Sequence, residues 1–314
     1  MSGKRSYTYG PVPSRRLGRS LGVDLVPHKT CSFNCIYCQL GPTERTTTER
    51  ADYAPADEVV AEVRARLGEG PEPDYVTLGG SGEPTLHLHF GEIARGIRAA
   101  GAVPVALLTN GSLFHLPDVR AACADVDLVL PSLDAGDEET FRRINRPHEG
   151  LTLEGLVDGL ARLRREHAGQ MWLEVFIVEG VNSSDGQVRA VARCIERIRP
   201  HRVQLNTAVR PPAEEGVRPP SAERLEEICR MLGPRAEIIA PARDFAPLPG
   251  AAAQKAEVLA MLRRRPCTLE DIAGGLGVHP NEGVKCLRAL LDEGAVVRRQ
   301  RLYHTYYEAA PGAT

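Results

Sequence analysis

No stretch of this chain approaches the roughly 20 consecutive apolar residues that a membrane-spanning helix needs. That excludes an ordinary helical membrane protein. The first ten residues, Met1 to Gly10, lack the apolar core of a secretory signal, so a cytoplasmic protein is expected. Charge of one sign is equally scarce: 39 Lys and Arg stand against 41 Asp and Glu, a net charge of −2. With no global basic field, contact with nucleic acid or an anionic membrane has to be local. Eight cysteines in 314 residues are too few for a disulfide scaffold. Internal repeats are absent, and the polar segment Thr43 to Arg50 is the one compositionally biased stretch, expected as an exposed loop.

What is present is ordinary for a globular chain: 42% apolar and 25% charged residues, which excludes disordered, collagenous and coiled-coil classes. A length of 314 residues suits one barrel-sized domain, or a main domain with a small companion. Short β-type runs alternate with helical stretches from residue 21 onward. The strand candidates are Leu21 to Val26, Tyr75 to Leu78, Val103 to Thr109, Val126 to Leu133, Met171 to Val178 and Arg202 to Asn206, with Glu237 to Ile239 as a further one. Several are continuous apolar runs, as parallel strands covered on both faces require. Between them, Pro55 to Leu67, Phe90 to Ala100, Leu116 to Cys123, Leu151 to His167, Asp185 to Arg199 and Ser221 to Leu232 carry apolar residues at helical spacing. The pattern predicts an α/β fold, with six βα units fitting a partial or complete barrel better than a doubly wound sheet.

A proline-rich stretch, residues 241–253, reads as a linker between a main domain, 1–240, and a second domain, 254–314. In the second, helices are expected over Gln254 to Arg264, Leu269 to Leu276 and Pro280 to Glu293. Strands follow over Ala295 to Arg298 and Leu302 to Tyr307, around a basic tip Arg299-Gln300-Arg301. That order predicts a winged helix-turn-helix.

Cys31, Cys35 and Cys38 form a C-x3-C-x2-C triplet just beyond the first predicted strand, at the end where the active-site loops of α/β barrels gather. Three thiolates hold three corners of a 4Fe-4S cluster and leave one iron open to an exogenous ligand. The alternatives are a structural zinc site with a distant fourth ligand such as Cys123, or chance clustering. The remaining cysteines, Cys123, Cys194, Cys229, Cys267 and Cys286, sit in apolar helical settings and read as core residues.

With Tyr37 at the aromatic position, the triplet resembles the radical S-adenosylmethionine (SAM) superfamily signature, C-x3-C-x-aromatic-C. The resemblance implies that the SAM amino and carboxylate groups bind the open iron. An electron from the cluster then cleaves the sulfonium, and a 5′-deoxyadenosyl radical abstracts hydrogen from a substrate. It also implies an electron donor such as a flavodoxin or ferredoxin. Ser81-Gly82-Glu83-Pro84 resembles the family's GGEP-like loop, placing Gly82 and Glu83 at the SAM ammonium. Asn110, in Thr109-Asn110-Gly111, and Ser132 and Asp134, in Ser132-Leu-Asp134, fall at strand ends that contact SAM or shape its pocket in the family. Taken alone, the glycine loop and Asn110-Gly111 are also good turns, and Asp134 also reads as an exposed helix cap. Glu174, Asn182, Asn206 and Thr207 are expected at the same barrel end. Arg15, Arg16 and Arg19 offer planar forks for a phosphate or carboxylate, or a structural salt bridge.

Over about residues 7 to 240, including Tyr9-Gly-Pro-Val-Pro-Ser-Arg15, the chain is similar to the 4-demethylwyosine synthases that modify tRNA. It departs from them in two places: no cysteine precedes Cys31, and no lysine lies between Lys29 and Lys255. The second domain carries nine Lys and Arg against seven Asp and Glu over residues 255–308, little for strong phosphate binding. The leading expectation is therefore a radical SAM enzyme acting on RNA or a protein. An iron-sulfur transcriptional sensor that binds DNA through the winged helix, and a glycyl-radical activase, are the alternatives.

Overall fold

The computed structural model describes residues 6–69, 72–209, 212–239, 255–301 and 304–310; the expected linker, 241–253, and Leu302 lie outside them. An antiparallel strand, β1 (Thr8–Ser14), pairs with β2 (Gly18–Val23) through a short turn. From β2 on, every strand is parallel and lies beside its predecessor: β3 (Tyr75–Leu78), β4 (Val105–Thr109), β5 (Leu128–Pro131), β6 (Gln170–Ile177), β7 (Arg202–Thr207) and β8 (Ala236–Ile238). A doubly wound sheet needs a reversal of strand order, and here the order never reverses. This is an α/β fold whose sequential parallel sheet suits a partial barrel; among the described residues β8 makes no pair with β1.

The crossovers are α1 (Ala56–Leu67), α2 (Phe90–Arg98), α3 (Pro117–Ala121, continued by one turn over Ala122–Asp125), α4 (Glu138–Ile144), α5 (Leu153–Glu166), α6 (Asp185–Ile198) and α7 (Ala222–Leu232). Their starts are chemically marked. Asp137, Thr152 and Ser221 each accept the backbone N–H that opens α4, α5 and α7. Val76, Leu107, Val129, Leu173, Val175 and Leu205 face these helices in one large core with Phe90, Phe114 and Phe141. On the sheet's other side Leu17, from the β1–β2 turn, is buried among Ala106, Leu128 and Leu130 and closes the bottom of the interior.

Sequence and structure differ at a few places for physical reasons. The first parallel strand ends at Val23, not Val26: Leu25 and Val26 are apolar because the loop itself is buried. The strand β1 was not expected, since its two prolines break any alternating pattern.

Beyond residue 254 the chain forms α8 (Lys255–Leu262), α9 (Leu269–Leu276), α10 (Pro280–Asp292) and an antiparallel pair, β9 (Val296–Arg301) and β10 (His304–Ala309). Thr268 and Asp271 build a reciprocal capping box at α9, and Gly277 closes that helix at φ 64°, a conformation suited to glycine. Arg299, Gln300 and Arg301, expected at a hairpin tip, belong to β9 itself. Val12 of β1 is buried with Val258, Met261, Ile272 and Leu287, so this unit shares its core with the edge of the main sheet. No described helix is long and apolar enough to cross a membrane.

Candidate functional site

Cys31, Cys35 and Cys38 lie on the loop that leaves β2, and neighbouring loops fix it from every side. Glu83 N–H donates to Thr30 O (2.9 Å), and Lys29 N–H to Ser81 O (2.6 Å), which joins the cysteine loop to the Ser81–Pro84 loop after β3. Ser32 Oγ meets Ser112 Oγ at 2.7 Å beyond β4. Asn34 and Ile36 N–H donate to Asn145 O and Ile144 O (both 3.0 Å) at the end of α4. Lys29 has φ 61°, uncommon for a residue with a Cβ; strain of this kind persists where the surroundings hold it.

Each thiol accepts an N–H from a different side chain. Asn110 Nδ2 points to Cys31 Sγ (3.6 Å), Asn145 Nδ2 to Cys35 Sγ (3.5 Å) and Lys29 Nζ to Cys38 Sγ (3.2 Å). Burial pushes the Cys31 thiol up to about 12, with the Glu83 carboxylate adding to it. Cys35 lies well above the ordinary thiol range, through burial and then Asp134. Such thiols become thiolates when a cationic group joins them. Among the described residues no three His, Cys, Asp or Glu side chains converge as ligands of one metal ion. Cys123, the distant zinc ligand considered from the sequence, is fully buried and donates to Val119 O.

The aromatic position has a structural reason. Tyr37 stacks on Phe176 of β6 (centroids 3.9 Å apart, planes 10° apart) and donates its O–H to Asp134 Oδ2 at 2.5 Å. Asp134 also accepts from Asn145 Nδ2 (2.7 Å) and Phe176 N–H (2.8 Å). Burial raises its pKa, and these three donors oppose the rise. The exposed-cap reading of Asp134 is thereby corrected: it is 2% exposed, and Asp137 caps the helix.

Glu83 is likewise a buried tie. Its carboxylate accepts from Thr85 N–H and Oγ1, Thr109 Oγ1 and Asn110 N–H (2.6 to 3.0 Å), linking the loops after β3 and β4. Burial raises its pKa against those four donors. Gly82 has no room for a side chain, because a Cβ there would lie 2.0 Å from Thr30 O. Ser132 follows β5 two residues after Leu130, in step with Leu128 and Leu130, which puts it on the interior side of the sheet.

The remaining polar candidates serve one another. Arg16 pairs with Glu174 and Arg15 donates to Asn206 Oδ1 (2.7 Å), so these forks reach from the β1–β2 turn to β6 and β7. Arg19 binds the Asp74 carboxylate through its backbone N–H. Asn182 is fully buried and bonds Asp134 O, Phe176 O and Val178 N–H, while Thr207 Oγ1 donates to Ile177 O. Both tie neighbouring backbone segments together. Sequence reasoning missed Asn145 and Lys29, which lie in no motif; the left-handed backbone of Lys29 is visible only in the fold.

Residues 25–191 match the family model described as the Radical SAM superfamily. A UPF0026 protein of Methanocaldococcus jannaschii is 35% identical over 225 residues, 71% of this chain and 70% of its own length. A protein named GTPase Obg, from Brachyspira hyodysenteriae, is 36% identical over 296 residues, and the match spans 93% of this chain but 44% of that protein. Among solved structures, a radical SAM methyltransferase from Sphaerobacter thermophilus shares the fold, with a TM-score of 0.52 and 21% identity over 70% of this chain and 66% of its own.

Proposed function

The chain belongs to the radical SAM superfamily, and from that premise we propose that Cys31, Cys35 and Cys38 hold its 4Fe-4S cluster, with SAM bound against the loops after β3, β4 and β5. The observation that carries this reading is that each of the three thiols meets an N–H of its own, from Asn110, Asn145 and Lys29. The donor set fits the cluster: three thiols share one loop and no other cysteine lies on it, which leaves one iron for SAM. Hydrogen bonds to the sulfurs are a known lever on such a group. When bound, the cluster supplies the electron that cleaves SAM to a 5′-deoxyadenosyl radical.

The chain's own residues position and enclose. Tyr37, pinned between Phe176 and Asp134, fixes the loop between Cys35 and Cys38. Gly82 brings the loop backbone against Thr30, and Glu83 locks that loop to Asn110. The bare Gly82 backbone receives the SAM ammonium, and Ser132 and Asp134 shape the far wall. The Arg15–Asn206 and Arg16–Glu174 pairs make the interior polar where a substrate sits.

In this reading residues 1–240 form the catalytic barrel. Residues 254–314 form a winged helix, supported by the order of three helices and a β-pair, and the substrate is a macromolecule, RNA or protein. A flavodoxin or ferredoxin delivers the electron in the cytoplasm. The wyosine reaction is not part of the proposal, because no cysteine precedes Cys31 to hold a second cluster.

Anaerobic reconstitution tests the cluster assignment. The wild-type chain is expected to take up about four iron and four sulfide, and Cys35→Ala to lose them. Iron retained at the wild-type level by Cys35→Ala, or a single zinc held in its place, overturns the assignment.

A further inference from the structure

Arg264 lies just beyond α8, in a run of three arginines before Pro266 that reads at first as the usual cations of a helix C-terminus. Its side chain does cap α8, with Nη1 donating to Ala260 O (2.8 Å), but it also reaches past the helix to the main domain. The guanidinium lies over the Tyr9 ring, 4.4 Å from the ring centre, and its Nε stands 3.4 Å from Asp24 Oδ2. Both partners are fastened to one stretch of the main domain. Asp24 accepts Ser81 N–H (3.1 Å) and Ser81 Oγ–H, while Tyr9 donates its O–H to Gly79 O (2.9 Å). Burial pushes the Tyr9 phenol up to about 12, so it stays a donor.

The two contacts therefore converge on Gly79–Ser81, the lead-in to Gly82 and Glu83. Gly80 is packed closely against both, since a Cβ there would come within 3.1 Å of Asp24 and 3.2 Å of Tyr9. The same C-terminal unit holds the main domain at other points: Glu257 of α8 lies 3.5 Å from Arg66, and Tyr306 O–H donates to Val209 O (2.7 Å).

We propose that Arg264 is a positioning residue for the SAM loop, bracing Gly79–Ser81 through Asp24 and Tyr9 and so coupling the C-terminal unit to the SAM site. The proposal rests on the reading that this loop binds SAM. An arginine suits the task because its planar fork stacks on a ring while it faces a carboxylate. A lysine keeps the charge but loses the stacking. By reciprocity, anything that draws α8 away from β1 weakens SAM binding, and bound SAM holds α8 in place.

The full-length chain answers this with two readouts. Hydrogen exchange on the cluster-free protein follows the peptide spanning Gly79–Thr85, with α5 and β6 as the internal control. SAM affinity is read on the reconstituted protein from the change that SAM makes in the electron spin resonance spectrum of the reduced cluster. For Arg264→Gln, exchange at the loop is expected to quicken and SAM to bind about tenfold more weakly, with iron content and α5–β6 exchange unchanged. Arg264→Lys is expected to fall between Gln and wild type. The brace is overturned if Arg264→Gln leaves both loop exchange and SAM affinity at wild-type values, or if exchange rises everywhere alike. A wild-type protein that binds no SAM, yet shows Arg264-dependent loop exchange, overturns the loop's assignment to SAM while sustaining the brace.

Discussion

Asp134→Ala is expected to destabilise the cluster-free chain by about 3 to 5 kcal/mol, read as a fall in the denaturant midpoint. Its carboxylate is the acceptor shared by the Tyr37 phenol, the Asn145 amide and the Phe176 backbone N–H. All three are buried or nearly so, and an unsatisfied buried donor costs roughly 1 to 3 kcal/mol. The same change frees the ring that fixes the loop between Cys35 and Cys38, so the variant should also load less iron. Partial replacements rank the contributions. Asp134→Asn keeps the shape but turns one acceptor into a donor and should fall in between. Tyr37→Phe removes one hydrogen bond while keeping the stack on Phe176, and should cost about 1 kcal/mol. An Asp134→Ala midpoint close to the wild type would contradict this view of the site's support.

Gly82→Ala is expected to weaken SAM binding more than it weakens iron loading. The added methyl would stand 2.0 Å from Thr30 O and 2.8 Å from Val26 Cγ2. The carbonyl cannot yield easily, because it accepts the Glu83 N–H at 2.9 Å. The loop must therefore move, and Glu83 moves with its ties to Thr109 and Asn110. Overpacking of this kind costs about 3 kcal/mol. Where that strain falls on the SAM-binding conformation, affinity should drop on the order of 100-fold. Thr30 directly precedes Cys31 on the cysteine loop, so iron content should fall as well, but by less than SAM affinity. Wild-type SAM affinity in Gly82→Ala would remove the loop from the SAM site.

How much of this was legible in the sequence depends on whether local chemistry or a distant partner decides. Tyr75–Leu78 and Leu269–Leu276 were found with their bounds, the first as a continuous apolar run and the second between Thr268 and Gly277, whose cap chemistry is local. The strand β1 was hidden because Gly10, Pro11 and Pro13 carry no strand signal; its pairing is dictated by β2 and by Glu62, which accepts from Ser6, Tyr7 and Thr8. In the site, the cysteines were marked by their spacing, and Tyr37, Gly82, Glu83, Asn110 and Asp134 by their resemblance to radical SAM motifs. What several of them do was not: Glu83 and Asp134 are buried acceptors tying loops together, and only the fold shows what they accept from. Asn145, over a hundred residues from Cys35, and Arg264, over two hundred from Asp24, have no sequence signal.

The measurement that reaches the central claim most directly is the yield of 5′-deoxyadenosine when the reconstituted, reduced protein is given SAM under anaerobic conditions. The account predicts that it forms with the wild-type chain and not with Cys31→Ala, Cys35→Ala or Cys38→Ala. A wild-type protein that carries the cluster and binds SAM but never forms 5′-deoxyadenosine, or a cysteine variant that forms it as well as wild type, would contradict it.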